Sequence, residues 1–320
     1  MFKWLLFVCM AVFVSHTQAK NVVFVHSYHF GYPWVKDYRI GFLETIDKME
    51  IHEFQMDTKR RDPKEFEAIA EQAWSFVIKN SPDVVVVSDD NALKYLGPRL
   101  IEQRIPFFFM GVNANPRNYI PITDTVSGVL ERPLVRRSVY MIGKVLPSAK
   151  RIRVLMDSTV TSTAILETSF GNKLNQTVTG IEVDTQLVES WEQWQQLIFD
   201  AKSEGYDAVV VANYAGLKDK DGRHYHMDLV SEWTSQNSDL PLFAFWAYSV
   251  GKKKAVGGLS ISATQQGIVA AQLVNQYFQD HTMPMITTPE KGAFVFSQSE
   301  LDRWNLHLPA EIHSKARMLD

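Results

Sequence analysis

Short apolar runs alternate with amphipathic stretches along most of the chain. The runs that predict strands are Val22–His26, Glu53–Met56, Val84–Ser88, Phe107–Met110 and Ser127–Leu130. Between them, apolar positions at helical spacing predict helices over Trp34–Met49, Pro63–Lys79 and Ala92–Gln103. The alternation then repeats, with strands predicted at Arg153–Asp157, Glu182–Val188, Ala208–Asn213, Leu242–Trp246 and Gly258–Ser262. Its helices fall at Thr161–Leu174, Trp191–Glu204 and Met227–Asn237, before a long helix at Gln265–Asp280 and a strand at Ala293–Ser297. Segments such as DVVVVSDD (Asp83–Asp90) and DAVVVANY (Asp207–Tyr214) are continuous apolar runs, the pattern of strands covered by helices on both faces of a parallel sheet. Strict β-α alternation through two halves predicts an α/β protein of two doubly wound parallel-sheet lobes. The halves change over near Glu131-Arg132-Pro133, and no Gly/Ser linker or low-complexity segment interrupts either one.

In open α/β sheets the ligand crevice lies outside the carboxyl ends of the strands. Those ends read HSYH from His26, SDDN from Ser88, GVNANP from Gly111, LERP from Leu130, MDST from Met156, ANYAG from Ala212, FWAYS from Phe245 and LSIS from Leu259. Hydrogen-bonding side chains occur at nearly all of them, and aromatic rings at several. Tyr28, Tyr32, Trp34, Tyr214, Trp246 and Tyr248 offer flat, rigid surface with a polar tip, suited to a planar ligand or a sugar face. Ser88-Asp89-Asp90-Asn91 and Asp157-Ser158-Thr159 resemble N-cap segments, which present backbone N–H groups to a carboxylate. Plain capping is expected of at least one of the two. Asp89, Asp90, Glu131 and Asp157 suit an ammonium or hydroxyl donor. With Ser27, His29, Asn113 and Asn213 from the same strand exits, these residues form the candidate ligand site, and together they suggest an amino-acid-like ligand.

Composition narrows the class. The 320 residues carry a net charge of −3, so no basic field attracts nucleic acid. Lys3, the apolar run Trp4–Val14 and a short polar stretch to Ala19 predict a secretory signal of residues 1–19, too short to span a bilayer. Cleavage there would remove Lys3 and the only cysteine, Cys9, leaving an exported, periplasmic chain that is not itself membrane-spanning. Enzyme motifs are missing: the sequence has no G-x-S-x-G, no P-loop and no G-x-G-x-x-G. Ser27 and His29 leave a secreted α/β hydrolase as the alternative, but one lacking an orienting third group. His26 with His29, and His224 with His226, lack the further ligands that a metal site requires, so neither metal nor cofactor is expected. The segment Asp57–Asp62 (DTKRRD) reads as a solvated loop, and Trp191 and Trp194 as core.

Several segments resemble the ABC-transporter substrate-binding family within the periplasmic binding proteins of the type I class, whose structurally known members bind aromatic amino acids. They are NSPDVVVVSDDNAL from Asn80, RIPFFFMGVN from Arg104, VSGVLER from Val126, RIRVLMDSTVTST from Arg151 and LDRWNLHLPAEI from Leu301. The HSYHFGYPW opening at His26–Trp34 is similar to a branch found beside membrane sensor proteins. This resemblance implies a clamshell with three hinge crossings, near Glu131–Leu134, Ser260–Thr264 and Pro289–Gly292. The lobes are then residues 20–131 with 263–288, and 132–262 with 289–320. It also implies a non-catalytic protein that holds a small organic ligand between the lobes and presents it to a membrane partner. That partner is an ABC permease or the ectodomain of a sensor kinase or cyclase.

Overall fold

A computed structural model describes residues 20–289 and 292–320; the predicted signal, 1–19, lies outside the described residues. In the first sheet, β1 (Asn21–His26), β2 (Glu50–Gln55), β3 (Val84–Ser88), β4 (Phe107–Val112) and β5 (Val126–Leu130) run parallel in the order β2-β1-β3-β4-β5. Helices α1 (Pro33–Thr45), α2 (Phe66–Asn80) and α3 (Asp89–Glu102) connect them. Val84–Val87 and Phe107–Phe109 are fully buried, as the continuous apolar runs require.

The chain then leaves the first sheet for α4 (Val135–Val145), which packs on the second sheet. There follow β6 (Arg151–Asp157), α5 (Val160–Phe170), β7 (Asn175–Val178), β8 (Ile181–Val188), α6 (Trp191–Asp200), β9 (Ala208–Val211), α7 (Met227–Asn237), β10 (Leu242–Ala244) and β11 (Gly257–Ser260). Next, α8 (Ala263–Asp280) returns to the first lobe and lies along α1, β4 and β5. Its approach to α1 is close enough that a Cβ on Gly267 would stand 1.9 Å from the Tyr38 carbonyl oxygen. Thr287 pairs with Val129 beside β5 before the chain crosses a third time to β12 (Ala293–Phe296). That last passage includes residues 290 and 291, outside the described residues. The end of the chain forms α9 (Gln298–Arg303), α10 (Ala310–His313) and β13 (Arg317–Met318). The second sheet runs β13-β12-β11-β10-β9-β6-β8-β7, with β12 antiparallel to β11 and β7 antiparallel to β8.

Five elements were not expected from the sequence: α4, β7, α9, α10 and β13. Helix α4 carries a buried stripe of Val135, Val139 and Ile142 behind exposed Arg136 and Arg137, a periodic signal masked by the charged passage before it. The β7–β8 hairpin turns through Thr179 and Gly180, both with positive φ (50° and 86°), a turn that favours glycine. Trp194 and Trp191 are core residues, 0% and 8% exposed.

Candidate functional site

The exit of β1 is fixed before any ligand chemistry begins. His26 Nδ1 lies 2.8 Å from the Tyr38 hydroxyl, and its Nε2 faces Glu53 at 3.1 Å. Burial lowers the His26 pKa, against the hydrogen bond and charge of Glu53, which raise it. Ser27 Oγ donates to the Ser88 carbonyl at 2.5 Å and accepts from the Ala92 amide at 2.8 Å. It therefore satisfies an orphan donor at the start of α3 and is not paired with His29. Ser88 and Thr159, expected as caps, make no side-chain cap bond. Asp157 does that work for α5, accepting from Thr159 N, Thr159 Oγ1, Ser162 Oγ, Asn213 Nδ2 and Gly216 N at 2.6 to 3.2 Å. Asp90 likewise accepts from the Asn113 and Ala114 amides and the Tyr119 hydroxyl.

Between the sheets lies a small chamber of about 20 Å³. The first lobe contributes Tyr28, Tyr32, Trp34, Lys59, Asp89 and Asn113 to it; the second contributes Thr161, Asn213, Trp246 and Tyr248. Glu131 stands on the first crossing. Three contacts tie the lobes across it: Tyr28 Oη to Thr161 Oγ1 at 3.1 Å, Trp246 Nε1 donating to Glu131 Oε1 at 3.0 Å, and Thr168 Oγ1 donating to the Asn113 carbonyl at 3.0 Å. The Tyr32 and Tyr248 rings also meet, with centroids 6.1 Å apart. Tyr28, Lys59 and Thr161 also line an adjoining groove of about 420 Å³, together with Asn91, Arg61, Ser158, Thr159, Lys218 and His224.

Carboxyls and rings give the chamber its character. Asp89 begins α3 in the left-handed region (φ 63°) and is 2% exposed. Gly111 opposite it has a φ of 66°, in the left-handed region that favours glycine, and a Cβ there would also stand 3.1 Å from Asp89 Oδ1. Burial, then the neighbouring Glu131 charge, pushes the Asp89 pKa well up. Burial likewise pushes Glu131 up to about 8, against the hydrogen bonds from Trp246 and Asn113. Three buried atoms of the chamber residues have no partner within the protein: Asp89 Oδ2, Asn113 Oδ1 and Trp34 Nε1. Buried polar atoms are nearly always paired, and a chamber of this volume has room for a water molecule or one small polar group at these three atoms.

Of the residues expected from the sequence, Tyr28, Tyr32, Trp34, Asp89, Asn113, Glu131, Asn213, Trp246 and Tyr248 come together around the chamber. Asn91, Ser158 and Thr159 face the adjoining groove. His29 lines a separate groove with His224 and His226. Ser27, Asp90, Asp157 and Tyr214 line none of these cavities: the first three make the backbone bonds described above, and Tyr214 is 1% exposed against Trp194 and Ser249. Lys59 and Thr161 were not anticipated. Lys59 sits in the segment read as a solvated loop, yet its Nζ stands 4.5 Å from the Tyr28 ring centroid and 5.1 Å from that of Tyr32. Among the described residues, no group of three or more His, Cys, Asp or Glu side chains could hold a metal ion, and no helix is long and apolar enough to cross a membrane.

No family model matches the chain, and no curated protein matches it. Solved structures do. An ABC domain from Streptococcus pneumonia in complex with L-Trp superimposes with a TM-score of 0.70 at 14% identity, over 94% of this chain and 100% of that one. A conserved domain protein from Vibrio cholerae gives 0.67 at 17% identity, over 95% and 100%. A ligand-free, open substrate-binding protein with adhesive properties from Clostridium difficile gives 0.63 at 14%, over 94% and 100%. The two mostly parallel sheets, their flanking helices and these superpositions show that the chain has the two-lobe fold of the type I periplasmic binding proteins.

Proposed function

We propose that the protein is an exported solute-binding protein without catalytic activity, which captures a small organic ligand between its lobes. The observation that carries this reading is the chamber itself: side chains from both lobes and from the crossing surround it, three of them with buried, unpartnered polar atoms. A ligand that touches both lobes stabilises the form in which they meet by its differential contacts with them. On this reading the lobes are residues 20–131 with 263–288, and 132–262 with 289–320. A membrane partner, an ABC permease or a sensor ectodomain, then reads the joined shape. The L-Trp complex of a protein with the same fold supports an amino-acid-like or aromatic ligand. The hydrolase alternative loses its nucleophile, because the Ser27 hydroxyl is bound to Ser88 and Ala92.

A thermal-shift screen of amino acids, aromatic amines, purines and sugars tests the reading, followed by small-angle scattering on any hit. A ligand at a hundredfold excess over its Kd adds about 2.7 kcal/mol of stability. The radius of gyration should fall when it binds. A tight ligand that leaves the scattering unchanged refutes two-lobe capture.

A further inference from the structure

Lys59 brings a cation into a chamber otherwise walled by rings, carboxyls and amides. Its ammonium lies over two tyrosine faces, the arrangement by which aromatic cages hold organic cations. Burial lowers its pKa while Asp157, Asp89, Glu131 and Asp90 act to keep it charged. The side chain has room to leave: Lys59 also lines both the adjoining groove and the separate groove of about 400 Å³ on its other side. Two of the unpartnered atoms, Asp89 Oδ2 and Asn113 Oδ1, lie on residues each 2% exposed; the amide oxygen calls for an N–H or O–H donor, and so does the carboxyl oxygen when an approaching cation holds Asp89 ionised. The third, Trp34 Nε1, carries one N–H that can donate to an incoming acceptor. Once Lys59 has left, a carboxylate would enter without a cation beside Asp89 and Glu131, whereas an ammonium restores the positive charge that those acids face in the native chain.

We propose that the chamber is a site for an organic ammonium group, which Lys59 fills from within the chain and a ligand takes over with its own amine as Lys59 turns out into a neighbouring groove. The ligand class is therefore an organic amine or amino acid, not an organic acid or neutral sugar. This assignment rests on the capture reading above, and Lys59 sets its specificity.

The test uses n-butylammonium, which is the lysine side chain itself, against butyrate and n-butanol at matched ionic strength. Removing the side chain in Lys59→Ala should let n-butylammonium bind at least about tenfold more tightly than to the native chain, measured by calorimetry and melting temperature. Butyrate and n-butanol should not gain, and Asp89→Asn on the Lys59→Ala background should abolish the effect. Lys59→Ser serves as a second cavity-forming variant if Lys59→Ala does not fold. Equal binding to native and variant chains, no binding to the variant, or equal binding of butyrate overturns the proposal. Its failure is distinguishable from failure of the capture reading. A neutral or anionic metabolite that compacts the native protein leaves capture standing and removes the ammonium assignment. Rescue by n-butylammonium without any compacting metabolite does the reverse.

Discussion

Two aromatic residues of the opening segment have different expected roles. Tyr28 presents its ring to Lys59 and its hydroxyl to Thr161 of the second lobe, so it serves both the chamber and the junction. Trp34 enters from the first turn of α1, is 4% exposed and packs with the first-lobe core while its Nε1 reaches the chamber. Tyr28→Ala should therefore weaken binding of a ligand from the screen by about 1–2 kcal/mol, with a small change in melting temperature. Trp34→Ala should cost about 3–5 kcal/mol of folding stability, whatever it does to affinity. Calorimetry and thermal unfolding on both variants separate the two. Unchanged affinity in Tyr28→Ala would remove that ring from the site.

At the scale of elements, the start of α3 decides where the acids point. Ser27, on the exit of β1, supplies the acceptor for the Ala92 amide that no residue of the helix itself provides. Asp90 is drawn down to the β4 exit by the Asn113 and Ala114 amides, while Asp89, in its left-handed conformation, keeps its carboxyl at the chamber. One carboxylate is thus structural and its neighbour faces the cleft. Ser27→Ala should cost about 0.5–2 kcal/mol, the usual range for a lost helix cap, read as a lower denaturation midpoint at unchanged slope. If Ser27 instead contacted ligand, affinity would fall without that loss of stability.

For the whole molecule, joining the lobes around carboxyls makes stability depend on pH. Glu131 is pushed up to about 8 from an ordinary 4.5, so between those values the folded chain holds a proton that the unfolded chain gives up. Stability therefore falls as pH rises through that window. Glu131 faces Asp90, Lys59, Asn113 and Trp246. Asp89 and Asp90 are raised as well, Asp89 partly by Glu131 itself, and they add to the same slope. Glu131→Gln should raise the melting temperature at pH 8 relative to the native chain and shrink the fall from pH 5 to 8 without erasing it. A melting profile that keeps its full slope in the variant would show that Glu131 ionises normally in the folded protein.

Much of this architecture was legible locally. Apolar runs such as Val84–Val87 and the helical stripes between them specify strand, helix and parallel sheet, because those patterns are repaid by burial within a few residues of chain. The same logic placed Tyr28, Asp89, Asn113, Trp246 and their neighbours at the strand exits where a crevice opens. What the pattern did not contain is which exit residues turn into the cleft and which turn back. Ser27, Asp90 and Asp157 are as polar as the residues that line the chamber, but amides brought up from sequence-distant loops take their side chains. Lys59 is the clearest case. In DTKRRD it is one cation among several, with nothing local to distinguish it. Only the packing of the β2–α2 connection over the β1 exit, with the second lobe alongside, lowers it onto Tyr28 and Tyr32. Periodicity records free energy gained between near neighbours; the position of a loop side chain depends on surfaces that exist only after distant parts of the chain have met.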